Sequence, residues 1–178
     1  SSLTVFDPAC GSGEFLRETL RYLELIGYSG TIKLIGWDIS RAACDMARFI
    51  LDWEAAFVSA PITIDIENRD SLDVEHVWPD AADLILMNPP FVSWQAMSTT
   101  QRTKVRDALG ALAQMRTDMS EAFVWKAANC VRPGGVLGCF IPASMLDSKA
   151  AELLRERLGQ LLSPKLIARL GSHSLFSD

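Results

Sequence analysis

Short apolar runs alternate along the chain with longer stretches in which apolar residues recur every three or four positions. The short runs fall at residues 3–6, 32–37, 62–66, 84–87, 136–141 and 166–170. Each is too brief for a stable helix and apolar enough to lie between two layers, so each predicts a strand. After the first run, Phe15, Leu16, Thr19, Leu20, Leu23 and Ile26 share one stripe of a helix. Met46, Ala47, Ile50 and Leu51 do the same behind Ser40, whose hydroxyl suits an N-cap. Phe123, Ala127, Cys130 and Val131 repeat the pattern before the stop Arg132-Pro133-Gly134-Gly135, and Leu146, Ala150, Leu153, Leu154, Leu158 and Leu161 predict one further helix. These stripes predict core packing and no chemistry. Strand followed by helix, repeated, predicts an α/β fold: a doubly wound, mostly parallel sheet between two helical layers.

One interval breaks the rhythm. Residues 92–114 are longer than a usual connection and carry Trp94, Met97, Gln101, Arg102, Lys104 and Arg106, with helical character in the second half. Long connections leaving a strand's carboxyl end often border an active site, so this segment is expected on the substrate side. No repeat or linker divides the chain, and residues 1–178 are expected to form one domain. A composition of 49% hydrophobic and 22% charged residues is that of a globular protein. Without a long uncharged apolar run or a secretion-type start, the expected compartment is the cytoplasm. Cys10, Cys44, Cys130 and Cys139 have no close pairing, and His76 and His173 are the only imidazoles, so neither a metal site nor a disulfide framework is expected. The opening lacks Met and reads as a strand already under way, which predicts a piece of a longer polypeptide.

Two motifs carry chemistry. Asp7-Pro8-Ala9-Cys10-Gly11-Ser12-Gly13 sits between the first strand and the first helix. Its glycines permit backbone angles closed to other residues, and the N–H groups of the following helix start suit an anionic group such as an amino-acid carboxylate. Leu16 replaces the third glycine of a dinucleotide fingerprint, and no phosphate-loop Lys follows. Asp38 ends the second strand, where a carboxylate can accept from both ribose hydroxyls of an adenosine. The second motif, Asn88-Pro89-Pro90-Phe91, ends the fourth strand. Its prolines preset the backbone, so the Asn88 amide oxygen and the Pro89 carbonyl oxygen could accept both hydrogens of a planar amine. Phe91 could stack on a base swung out of a duplex.

Together these motifs resemble the S-adenosylmethionine-dependent adenine-N6 DNA methyltransferases, the N-6 DNA methylase type of type I and IIG restriction–modification systems, in the gamma order of motifs. The resemblance runs from Asp7 to about Pro142, where Gly134-Gly135-Val136-Leu137-Gly138-Cys139-Phe140-Ile141-Pro142 is similar to the family's fifth strand. It implies a class I methyltransferase fold and bound S-adenosylmethionine held by Asp7, Pro8, Ala9, Cys10, Gly11, Gly13, Asp38, Ile39, Asp70, Ser71, Leu72 and Asn88. Ile39 would cover the cofactor's adenine, and Asp70 matches the acid that bonds its amine. Asn88, Pro89, Pro90 and Phe91 match the catalytic quartet, and Phe176 a late aromatic of the base pocket. The implied partners are duplex DNA with an adenine target and a specificity subunit or target-recognition domain.

The family's N-terminal closing segment, its target-recognition domain and its seventh, antiparallel strand have no counterpart in the sequence. A formal charge of -5 is also not that of a complete DNA clamp. Enzymes that methylate a protein glutamine or guanine N2 of ribosomal RNA share the quartet's acceptor logic and stand as the alternative. A non-catalytic cofactor-binding scaffold is the other.

Overall fold

The computed structural model describes residues 2–114 and 116–169. In chain order the elements are β1 Ser2–Asp7, α1 Glu14–Leu25, β2 Thr31–Asp38, α2 Arg41–Ala55, β3 Ile62–Asn68, β4 Ala82–Met87, α3 Thr99–Leu109, α4 Met119–Cys130, β5 Val131–Cys139, α5 Ala143–Asp147 and α6 Glu152–Leu161. The five strands form one sheet in the order β3-β2-β1-β4-β5, and every pairing is parallel. Parallel neighbours require crossovers, and α1 and α2 supply two of them.

The period-two alternation of the strands sorts the core into two layers. Val5, Ile32 and Leu34 pack with Leu16, Leu20, Ala47 and Leu51 of α1 and α2. Phe6, Ile35, Ile85 and Met87 face the opposite way, against Val105, Phe123, Ala127 and Leu154 of α3, α4 and α6. The architecture is therefore the expected doubly wound αβα sandwich. Within the second layer, Phe6 meets the edges of Trp37 and Trp78 at centroid distances of 5.1 and 5.2 Å. Such edge-on pairs are favourable beyond their buried area.

Five expectations need correction. Residues 162–169 carry no strand where the sixth was expected, and Leu166 and Ile167 are exposed. The long C-terminal helix is two, because Ser148 leaves helical geometry at φ -74, ψ 147 and its hydroxyl accepts from Ala151 N. Arg155 donates to the carbonyls of Met145 and Ser148 and so satisfies the end of α5. Val131 begins β5 directly after α4 and does not close the helix. Ile26, Met46, Ala150 and Leu161, expected in core stripes, are exposed. Phe15 is only half-buried and stacks on Phe140, with centroids 6.0 Å apart. Leu170 and Phe176 lie outside the described residues. Among the described residues, no helix is long and apolar enough to cross a membrane.

Candidate active site

Sheet order reverses direction between β1 and β4: the chain runs outward through β2 and β3, then returns to the other side of β1. Connections leaving neighbouring strands in opposite directions open a crevice at the carboxyl ends, the usual ligand position in such sheets. Both chemical motifs stand there. Phe6 pairs with Ile85, so Asp7 and its loop emerge level with Met87 and Asn88.

The loop after β1 is fastened from three sides. Cys10 N donates to Trp37 O at 2.9 Å, and Gly11 N donates to Asp38 Oδ2 at 2.9 Å. The other Asp38 oxygen accepts from Ser40 N at 2.8 Å. From beneath, the buried Ser71 hydroxyl donates to Pro8 O at 2.5 Å. Gly11, at φ +52, has nothing within 4 Å of where a Cβ would stand, so its backbone faces open space. Gly13 differs: at φ +87 its missing Cβ would lie 3.2 Å from Ala47 Cβ. Gly11 thus leaves room beside the loop, whereas Gly13 lets α1 approach α2 closely.

Asp7 is buried at 1% exposure and accepts from Ala9 N at 3.0 Å. Burial, with the Asp38 carboxylate adding to it, pushes its pKa up to about 7. Burial likewise raises the Cys10 thiol far above its ordinary value, which leaves it neutral and unreactive. Ile39 is exposed at 74%, beside the Asp38 carboxylate.

Residues 70–78 knit the two layers of the site together. Asp70 Oδ1 accepts from Leu72 N at 3.0 Å, and its Oδ2 accepts from Lys104 Nζ of α3 at 2.7 Å. The same ammonium donates to Asp73 Oδ2 at 2.8 Å. The Ser71 carbonyl accepts from both Trp78 Nε1 and Lys126 Nζ, each at 2.8 Å. Ser71 and Leu72 are buried, so they support the glycine loop from inside. Lys126 and Trp78 carry no motif that would single them out in the sequence. Lys126 stands on α4, whose apolar pattern accounts for the helix without it.

On the facing strand, Pro89 is buried, Pro90 half-buried, and Asn88 and Phe91 exposed. The backbone beyond the quartet is pinned to the start of α4, with Met119 N donating to Val92 O and Trp94 N to Asp118 Oδ1, both at 3.0 Å. Trp94 is in turn flanked by the guanidinium groups of Arg102 and Arg106, 5.1 and 4.8 Å from its ring centroid. Beside the quartet, Phe15, Leu86, Met87, Gly138, Cys139 and Phe140 line an apolar recess of about 260 Å³. Phe15 and Phe140 were legible only as core or strand residues, because their meeting depends on the start of α1 lying near the residue that follows β5.

The comparisons with known proteins agree with this architecture. A class I S-adenosylmethionine-dependent methyltransferase structure from Listeria monocytogenes superposes with a TM-score of 0.71 at 17% identity, over 89% of this chain and 45% of that one. The methyltransferase subunit of a type I restriction–modification system from Streptococcus thermophilus gives 0.65 at 23% identity, over 89% and 33%. In sequence, the chain is 29% identical to the type II methyltransferase M.BanIII of Aneurinibacillus aneurinilyticus over 96% of its own length and 30% of that enzyme. It is 24% identical to M.VspI of Vibrio sp. (strain 343) over 88% and 35%. The chain thus spans about a third of the length of these curated relatives. The N-6 DNA methylase family model matches residues 1–160, a span holding both motifs, all five strands and the crevice between them. By that match, the chain belongs to the N-6 DNA methylase family.

Proposed function

We propose that residues 1–178 are the catalytic domain of an enzyme that transfers a methyl group from S-adenosylmethionine to the N6 amine of a flipped adenine in DNA. The observation that carries this reading is the juxtaposition of the open Gly11 backbone and the Asn88 quartet across the switch point of a parallel sheet. The chain's residues fit the cofactor. Gly11 leaves space where a side chain would intrude, Asp38 retains unused lone pairs on both oxygens for ribose hydroxyls, and Ile39 offers an exposed apolar surface to a base. The Asp38 carboxylate, held by Gly11 N and Ser40 N, gives this end of the crevice a negative group suited to a cationic ligand.

When bound, S-adenosylmethionine supplies an activated methyl group on a sulfonium sulfur. The protein must then fix an amine whose lone pair is delocalised into the adenine ring. The Asn88 amide oxygen and the Pro89 carbonyl oxygen accept its two hydrogens and draw the nitrogen toward tetrahedral geometry. Phe91, 57% exposed, stacks on the extruded base and offsets part of the few kcal/mol that unstacking costs. Catalysis on this account is positioning and acceptor electrostatics, with no covalent enzyme intermediate.

The same reading assigns sequence recognition to a target-recognition domain or specificity subunit, consistent with the greater length of the relatives, and assigns the work to the cytoplasm. Transfer of labelled methyl in parallel to DNA, RNA and protein, followed by nucleoside and amino-acid analysis, tests it. Label in N6-methyladenine of DNA is expected; label in guanine or glutamine selects the alternative substrates.

A further inference from the structure

We propose that Lys104 is a positioning residue for the adenine end of the cofactor site: by holding Asp70 Oδ2 it sets the carboxylate that selects the cofactor's exocyclic amine. The inference rests on the reading of Asp70 as the acid that bonds this amine.

A carboxylate on a loop rotates freely unless something fixes it. One Asp70 oxygen is tied locally to Leu72 N, and that single bond leaves rotation about it open. The second tie comes from a different element, since Lys104 Nζ meets Oδ2 at 2.7 Å. The ammonium also bridges to Asp73 at 2.8 Å, so it screens two acids three positions apart that would otherwise repel each other. The other ionisable groups around the cluster are His76, whose Nδ1 lies 2.8 Å from Asp70 O, and Lys126, held on Ser71 O. Neither takes an Asp70 side-chain oxygen.

Lys104 is itself firmly placed. The adjacent Val105 and, one turn on, Leu109 are buried in the core, and a reciprocal Ser98–Gln101 capping box fixes the start of α3. The side chain is 25% exposed, which leaves the pair less screened than an open surface bridge. With both oxygens anchored, the remaining lone pairs keep fixed directions, and an amine donor is recognised by orientation as well as by charge. Because α3 belongs to the connection that begins at the catalytic quartet, the two ends of the crevice share one support.

A purely structural ion pair would affect every ligand of the crevice alike, whereas a positioning role acts only on ligands that carry the amine. The test is calorimetry of the whole enzyme with S-adenosylhomocysteine and with its analogue bearing hydrogen in place of the 6-amino group. Wild type is expected to prefer the amine-bearing ligand by about tenfold or more, the worth of one hydrogen bond to a charged group. Lys104→Met should shrink that preference several-fold through weaker binding of S-adenosylhomocysteine, with the analogue's affinity unchanged, and Lys104→Arg should restore most of it. Equal weakening of both ligands, or of neither, overturns the proposal. If Asp70→Asn leaves the preference intact, Asp70 is not the amine's partner and the inference fails for that separate reason. Should Lys104→Met not fold, Lys104→Gln compared with Lys104→Arg reads the same ratio.

Discussion

Asp38 meets two demands with one carboxylate, holding the glycine loop through Gly11 N and opening α2 through Ser40 N. Removing it is therefore expected to loosen the loop as well as delete ribose acceptors. Asp38→Ala should weaken cofactor affinity by about tenfold or more, as loss of charge-assisted hydrogen bonds implies. Unchanged affinity in calorimetry would take Asp38 out of the ribose site. Asp7 makes a different prediction, because its pKa near 7 lies well above the roughly 3.9 of an unfolded Asp. The folded protein retains the proton, so the contribution to stability is complete below about pH 4 and is lost as pH rises through about 7. The full loss is on the order of 4 kcal/mol. Asp7→Asn should flatten urea-measured stability between about pH 4 and 7, leaving a slope of the same sign from Glu121, whose pKa burial also raises. An identical pH dependence in both proteins would contradict the assignment.

The two glycines of the first motif separate at the level of elements, since one borders open space and the other lies under α2. Gly13→Ala would force a Cβ against Ala47 at a positive φ and is expected to cost about 2–3 kcal/mol, the sum of backbone strain and overpacking. Gly11→Ala should cost about 1 kcal/mol, from φ alone. Denaturant melts of the pair check the order, and equal costs would contradict it. This distinction was not legible in the sequence, where both glycines read alike, as freeing the backbone and as members of the implied cofactor set. The periodicities did place β1 to β5 and the helices α1, α2 and α4, because short buried strands and one-sided helix stripes leave strong patterns. They failed where spacing coincided: Leu146 and Leu153 are two turns apart in register, yet Ser148 breaks the helix between them. They failed again at residues 166–169, where an apolar composition met no neighbouring strand among the described residues. Asp70 was legible as an acid after a strand, but its tie to Lys104 spans 34 positions and exists only once α3 packs.

Across the whole molecule, the reversal of strand order between β1 and β4 turns two separate sequence motifs into one crevice. On the proposed reading the glycine loop forms one wall and the Asn88 quartet the other, so that a ligand bound on the first would present itself to the second. A net charge of -5 and acids clustered at the cofactor end leave little here to grip phosphates, apart from basic groups such as Arg102 and Arg106 on α3. DNA engagement on this account draws on recognition parts beyond the catalytic core. The central claim is that the Asn88 and Pro89 oxygens act on the target amine and not on the cofactor. Its most direct test measures Asn88→Ala in the whole enzyme for both N6-methyladenine formation and S-adenosylhomocysteine affinity. Turnover should fall at least about 100-fold, the usual cost of losing one transition-state acceptor, while affinity stays within a few-fold of wild type. Retained turnover, or a loss explained wholly by weaker cofactor binding, would contradict it.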